Sequence, residues 1–314
     1  MLKKKITFVL LLLISIGIVS FCSTFFYVKY NSKDYYDSDL LIMTSCNPIY
    51  LATINIVGDT EGVTVTNLSQ PTTGCLHDYT LTTEDMKNLS YADVLVVNGG
   101  GMEGYLDDVI ESYPDLPLID SSENVIDTVE EYIDDADIAD LSELVDENSH
   151  MWMSETVYEG QVYNIALRLS EIDPSHEDSY MANAREYCDT IAEQIDMPTA
   201  LTEISGGNVA VLHEAFEYTA NSLGANVVAS MDLDEERQVS AGEVSEFIDA
   251  IVDNGVKIVF AEYDYGNAMG TLIEEQTDAR VVYLETLIHG EYSGLDYILV
   301  LSQNYEDIAD RLAE

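Results

Sequence analysis

The chain has 314 residues, 47% of them apolar, enough for two domains of ordinary size and a large core, which argues against disorder over most of its length. Charge is the outlier: 12 Lys and Arg stand against 59 Asp and Glu, a formal net charge of −47. Such a surface repels nucleic-acid phosphates and anionic headgroups, so both are excluded as partners, and the acidity reads as a solubility and salt-tolerance device rather than as a metal site.

The N-terminus carries "MLKKK" followed by residues 6–28, 23 positions without a charge. About 20 apolar helical residues span a bilayer, and lysines on the N-terminal side keep that end cytoplasmic. The remainder is therefore expected outside the cell, tethered to the outer face of the membrane. Two tethers stay open. Cys22 could be acylated as in a bacterial lipoprotein; Phe21 before it and the apolar residues after it favour an uncleaved signal anchor. Residues 1–29 form this segment and 30–38 a polar tether.

From Leu40 the pattern alternates. "LLIMTS" reads as a buried strand, "PIYLATINIVG" as a helix opened by Pro48, and "VTVTNLS" as a β-branched strand. "TTEDMKNLSYA" is a helix capped by Thr82 or Thr83, "DVLVVNGG" a buried parallel strand, "MEGYLDDVIESY" a helix and "PLIDSS" a strand. Residues 123–147 are acidic with no clear period and read as a solvated surface insertion. Two helical segments follow. "SETVYEGQVYNIALRLSEI" is the first; the second runs from about Pro174 to Thr202, with Tyr180, Ala184, Tyr187, Ile191 and Ile195 on one face, and would reach ~40 Å.

Alternation then resumes. "NVAVLHEAF" is strand into helix, "NVVASMD" a strand, and "SAGEVSEFIDAIVDN" a helix with a Ser240/Glu243 capping box. "VKIVFAEYD", "GNAMGTLIEEQT", "ARVVYLET" and "DYILVLSQNYEDIADRL" continue as strand, helix, strand and helix. The fold class is α/β: two lobes of parallel-sheet α/β sandwich joined by one long helix. The expected bounds are 39–173 for the first lobe, 174–202 for the linking helix and 203–314 for the second lobe. A cleft between such lobes is a usual place for a ligand.

There are five histidines. His77 follows the second strand, in "TTGCLHDYTLT". His150, in "ENSHMWM", precedes a helix. His213 and Glu285 stand at the carboxyl ends of second-lobe strands, where parallel sheets place ligands. Three imidazoles and a carboxylate make a common Zn²⁺ donor set, although scattered single histidines are usually solvated or core residues.

In this order, "TSCNPIY", "GCLHDYTLTTEDMKNLSYADVLVVNGGGMEGYLD", "NSHMWMSETVY", "LHEAFEYTANSLG", "VKIVFAEYDYG" and "ARVVYLETL" resemble the metal-binding lipoproteins of bacterial zinc and manganese ABC importers. The resemblance covers nearly all the chain after Leu40. It implies two lobes joined by a long helix, here the Pro174 segment, with the metal between them. It implies the ligands His77, His150, His213 and Glu285, and Zn²⁺ as cargo with Mn²⁺ as the alternative. Histidine in the third place resembles the zinc group, while glutamate there is commoner in manganese members. Three departures are visible: Ser149 replaces a proline, Glu285 stands where aspartate is common, and the acidic stretch takes the place of a histidine-rich loop. The implied partners are ABC permease and ATPase subunits, and the protein is expected to be a monomer and not an enzyme. A zinc hydrolase, with three histidines and an open position, and a surface adhesin are the competing readings.

Around this set, Asp78 is expected to orient His77, with Glu262 and His289 near the metal. His176 reads as a solvated first-turn residue, and Met151 and Trp152 as packing for the His150 loop. Cys46 and Cys75 are candidates for a disulfide in an oxidising compartment, and Cys188 is a core residue.

Overall fold

The computed structural model describes residues 38–313 except 69–76, 78, 134–135, 137, 139–140, 196, 234–238, 264–265, 289 and 291–292, together with isolated positions 16, 20 and 23. Cys22, Cys75, Asp78 and His289 lie outside the described residues, as does most of the apolar N-terminal segment. No helix among the described residues is long and apolar enough to cross a membrane.

The first lobe opens with β1 (Leu40–Thr44) and α1 (Asn47–Val57), where Pro48 occupies the first helical turn. β2 (Val63–Asn67) and α2 (Thr83–Leu89) follow. Thr82 caps α2 in a capping box with Asp85, which satisfies two orphan donors reciprocally. Next come β3 (Val94–Val97), α3 (Leu106–Ser112) and β4 (Leu118–Asp120). All pairings are parallel, in the order β2-β1-β3-β4.

The acidic stretch departs from the expected surface insertion. It forms α4 (Val125–Tyr132) and α5 (Leu141–Glu147), and α4 buries Val125, Thr128 and Val129. The face lies against α6 (Glu155–Ile172), where Gly160 lets it come close: a Cβ there would stand 2.6 Å from a Val129 methyl. Acidic residues dominate the composition, but three positions of the right spacing are enough to dock a short helix.

The linking helix is shorter than the expected 174–202. α7 spans Glu177–Gln194, 18 residues or about 27 Å. At its start Asp173 Oδ2 accepts from the Tyr180 hydroxyl at 2.9 Å and meets His176 Nδ1 at 2.6 Å, which fixes a turn before the helix. At its end Ile195 is extended and Pro198 instead opens a separate 3-10 turn, Thr199–Glu203. α7 packs antiparallel along α6 and against α1, burying Tyr180, Ala184, Tyr187, Cys188 and Ile191.

The second lobe repeats the plan with β5 (Asn208–Val211), α8 (Phe216–Ser222), β6 (Asn226–Ser230), α9 (Ala241–Asp253), β7 (Ile258–Glu262), α10 (Asn267–Gln276), β8 (Arg280–Leu284) and α11 (Asp296–Ala313). Its sheet is parallel in the order β6-β5-β7-β8. One apolar core runs through both lobes and includes Ile42, Val96, Trp152, Tyr158, Phe260, Leu284, Tyr297 and Ile298. Tyr158 of α6 stacks on Tyr297 of α11, ring centroids 3.7 Å apart. The carboxyl ends of both sheets therefore face a shared seam, the position where parallel sheets bind ligands.

Candidate metal centre

Three histidines meet at that seam. The His77 and His150 rings have centroids 5.5 Å apart, and those of His150 and His213 are 4.9 Å apart. His77 is the outer member, with 37% of its side chain exposed, whereas the His150 side chain is 1% exposed and that of His213 4%.

Each imidazole is held differently. His77 sits on a loop whose carbonyl oxygen presses on Gly104; a Cβ at 104 would stand 2.7 Å from that oxygen. The adjacent Glu103 is buried and ties its own turn, Asn98 to Gly104, to Ser45. Its Oε1 accepts from the Ser45 hydroxyl at 2.6 Å and the Asn98 N–H at 2.8 Å, and its Oε2 accepts from the Gly99 N–H at 3.1 Å. Burial pushes the Glu103 pKa up, and these hydrogen bonds partly oppose that. Ser149 Oγ lies 3.3 Å from His77 Nε2.

His150 follows Asn148 and Ser149 and precedes a 3-10 turn, Met151–Met153. Asn148 Oδ1 accepts from the His150 backbone N–H and lies 3.0 Å from its Nδ1, which fixes the ring and leaves Nε2 as the lone-pair nitrogen. Burial, then His213 and His77, push the His150 pKa well below the usual histidine range. A neutral ring is the form a metal requires. Trp152, fully buried behind His150, donates its indole N–H to Thr286 O of the other lobe at 2.7 Å.

His213 follows β5. Its Nδ1 accepts from the Ala215 N–H at 3.0 Å, and its Nε2 lies 3.9 Å from Glu262 Oε2. Glu262, at the end of β7, accepts from the Thr286 hydroxyl at 2.7 Å. A metal at either His213 nitrogen changes the Ala215 contact. At Nδ1 it replaces the N–H, and at Nε2 it moves the ring proton to Nδ1.

Glu285 stands just beyond β8, with its backbone tied to Asn304: its N–H donates to Asn304 Oδ1 at 2.9 Å, and its carbonyl accepts from Asn304 Nδ2 at 2.8 Å. Its side chain is exposed. Two other carboxylates stand beside the histidines: Glu262 at His213, and Glu214, whose Oε1 lies 3.4 Å from His150 Nδ1 and 3.9 Å from His77 Nε2. Donor atoms of His77, His150 and Glu214 all fall within 4.8 Å of one another. Sequence reasoning did not select Glu214, Asn148 or Glu103. The available signal was adjacency to the histidines in "LHEAF" and "NSH" and to the glycines in "NGGGMEG".

Residues 42–311 match the family described as ZnuA, zinc-uptake complex component A, periplasmic. The chain belongs to that family. It is a metal-binding substrate-binding protein of the kind that serves ABC importers. Among its relatives, the iron-binding protein YfeA of Yersinia pestis is 26% identical over 262 residues, covering 81% of this chain and 80% of YfeA. The high-affinity zinc uptake system protein ZnuA of Bacillus subtilis is 24% identical over 294 residues, covering 90% of each chain. Among solved structures, the substrate-binding protein FpvC of Pseudomonas aeruginosa with Ni²⁺ superposes with a TM-score of 0.69 at 25% identity, over 87% of this chain and 97% of FpvC. ZnuA-family membership accounts for the two-lobe architecture. The relatives' names span iron, zinc and nickel, so the choice of metal rests on this chain's own donors.

Proposed function

We propose that this ZnuA-family protein captures Zn²⁺ between its lobes, at the outer face of the membrane, and passes it to ABC permease and ATPase subunits without catalysing a reaction. The observation that carries the reading is the convergence of His77, His150 and His213 from both lobes. Imidazole donors suit Zn²⁺, whereas Mn²⁺ favours oxygen-rich surroundings. The three imidazoles and the Glu285 carboxylate are the proposed ligands, and the chain acts as a monomer tethered by its N-terminal segment. A four-donor site leaves no metal-bound water to activate, which argues against the hydrolase alternative.

Calorimetric titration of the metal-stripped, full-length protein in detergent tests this. One tight Zn²⁺ equivalent is expected, abolished in His150→Ala and His213→Ala and much weaker for Mn²⁺. Equal uptake by wild type and variants would mean that the acidic surface takes the metal and the seam does not. Turnover of a simple ester by the zinc-loaded protein would instead favour a hydrolase.

A further inference from the structure

We propose that Thr286 is a positioning residue for the metal site, tying the proposed ligands His150, His213 and Glu285 to one another across the lobes. This rests on the seam being the metal site. Thr286 directly follows Glu285 and is buried. Its carbonyl accepts from the Trp152 indole N–H at 2.7 Å, and Trp152 belongs to the 3-10 turn that His150 opens in the first lobe. Its hydroxyl donates to Glu262 Oε1 at 2.7 Å, and Glu262 Oε2 stands 3.9 Å from His213 Nε2. One residue thus reaches the surroundings of one imidazole through its backbone and of a second through its side chain.

The backbone on either side is held as well. Asn304 takes both the N–H and the carbonyl of Glu285, at 2.9 and 2.8 Å. Asn47 of the first lobe donates to the Leu287 carbonyl at 2.8 Å. The carbonyls of 285, 286 and 287 are therefore each bound by a side chain, those of 286 and 287 from the opposite lobe. Leu287 has φ 66°, a left-handed conformation that costs a bulky residue free energy and persists where the surroundings impose it. A loop fixed at this many points gives residue 285 one backbone direction before an ion arrives. Ligands ordered in advance lose less conformational freedom on binding. Within this chain of contacts, the Thr286 hydroxyl is the link that a methyl group replaces at nearly constant volume, so positioning can be separated from packing there.

The test compares Thr286→Val, Thr286→Ser and His150→Ala in the full-length protein. Zn²⁺ affinity is measured by chelator competition, the coordination sphere by the Co²⁺ d–d absorption, and the stability of the metal-free protein by urea denaturation. Thr286→Val is expected to bind about 10–100-fold more weakly, the usual range for losing a partner behind the ligands, and to change the Co²⁺ band shape. Thr286→Ser keeps the hydroxyl and should restore both the band shape and an affinity within about threefold of wild type. A Thr286→Val protein that is less stable in urea yet keeps wild-type affinity and spectrum would reduce Thr286 to packing and overturn the proposal. So would Thr286→Ser binding as weakly as Thr286→Val, because the hydroxyl would then not be the group that matters. If His150→Ala loses the site while Thr286→Val binds as wild type, only the positioning role fails. If His150→Ala itself binds as wild type, the seam is not the metal site and both readings fail.

Discussion

Replacing Glu159 with glutamine should make the protein more stable at pH 8 and leave it nearly unchanged at pH 4.5. Glu159 lies in α6, 7% exposed, one turn after Glu155 on the same helix, with Asp189 of α7 nearby. Burial, then the charges of Glu155 and Asp189, push its pKa from the ordinary 4.5 up to about 8. A carboxyl whose folded pKa is raised contributes stability that is full below its unfolded pKa and is lost as pH rises through the folded one. Each unit is about 1.4 kcal/mol, so a shift of this size amounts to roughly 3 kcal/mol by pH 7 and more by pH 9. The unfolded chain is itself strongly negative, which raises the reference pKa and trims the effect below the roughly 4 kcal/mol that the shift alone gives at pH 8. Glutamine has no proton to lose. Glu155, whose pKa burial also raises, is coupled to Glu159, so the difference reports the loss of position 159 together with the relief of Glu155. Urea denaturation of wild type and Glu159→Gln at pH 4.5, 6 and 8 reads the gap. A gap that does not grow with pH would refute the buried-carboxyl argument.

Two further outcomes follow from the histidine loops. Gly104→Ala places a Cβ against the backbone oxygen of His77, where no side chain can give way. It should cost about 1–3 kcal/mol in urea denaturation and weaken Zn²⁺ binding about tenfold in chelator competition, with the fold retained by circular dichroism. Loading His213 disturbs the Ala215 N–H contact. The Ala215 amide resonance should therefore shift on Zn²⁺ addition and exchange faster with deuterium, and an unmoved Ala215 signal would mean that His213 takes no metal.

The strands and most helices were legible because their signals are local. Val94–Val97 is a short apolar run ending in glycines, and Thr82 and Ser240 carry complete capping boxes. The acidic stretch was not, because its helix is read only from Val125, Thr128 and Val129 against a partner glycine 31 residues after Val129. The linking helix ends earlier than the apolar stripe suggests, because the stripe from Tyr180 still includes Ile195, where the backbone is already extended. For the site, rarity marks all five histidines, and the resemblance of "GCLHDYT", "NSHMWM" and "LHEAF" to a metal-binding family singles out three of them. Glu214 is not marked, since one glutamate among 59 acidic residues carries no information until a fold sets it beside His150. Which carboxylate faces the seam depends on loop path and side-chain direction, and neither has a sequence period.

Within the proposed function, release of the cargo meets a physical constraint. Opening the lobes about α7 would tear a continuous apolar core and the stacked Tyr158–Tyr297 pair. It would also strand buried polar groups that now pair across the seam. Trp152 Nε1 donates to Thr286 O at 2.7 Å, Asn47 Nδ2 to Leu287 O at 2.8 Å, the Tyr297 hydroxyl to Trp152 O at 2.8 Å and the Tyr218 hydroxyl to Asn148 O at 2.6 Å. Exchanging each such bond for water costs about 0.5–1.5 kcal/mol, and exposing the apolar seam adds to that, so separating the lobes is expensive. The three histidines are not equally fixed. His150 is locked by Asn148 and backed by Trp152, and His213 is buried beside Glu262. His77 is 37% exposed. Moving it away would remove one proposed ligand while the core stays closed. Unloading from that side requires the least disruption of the fold.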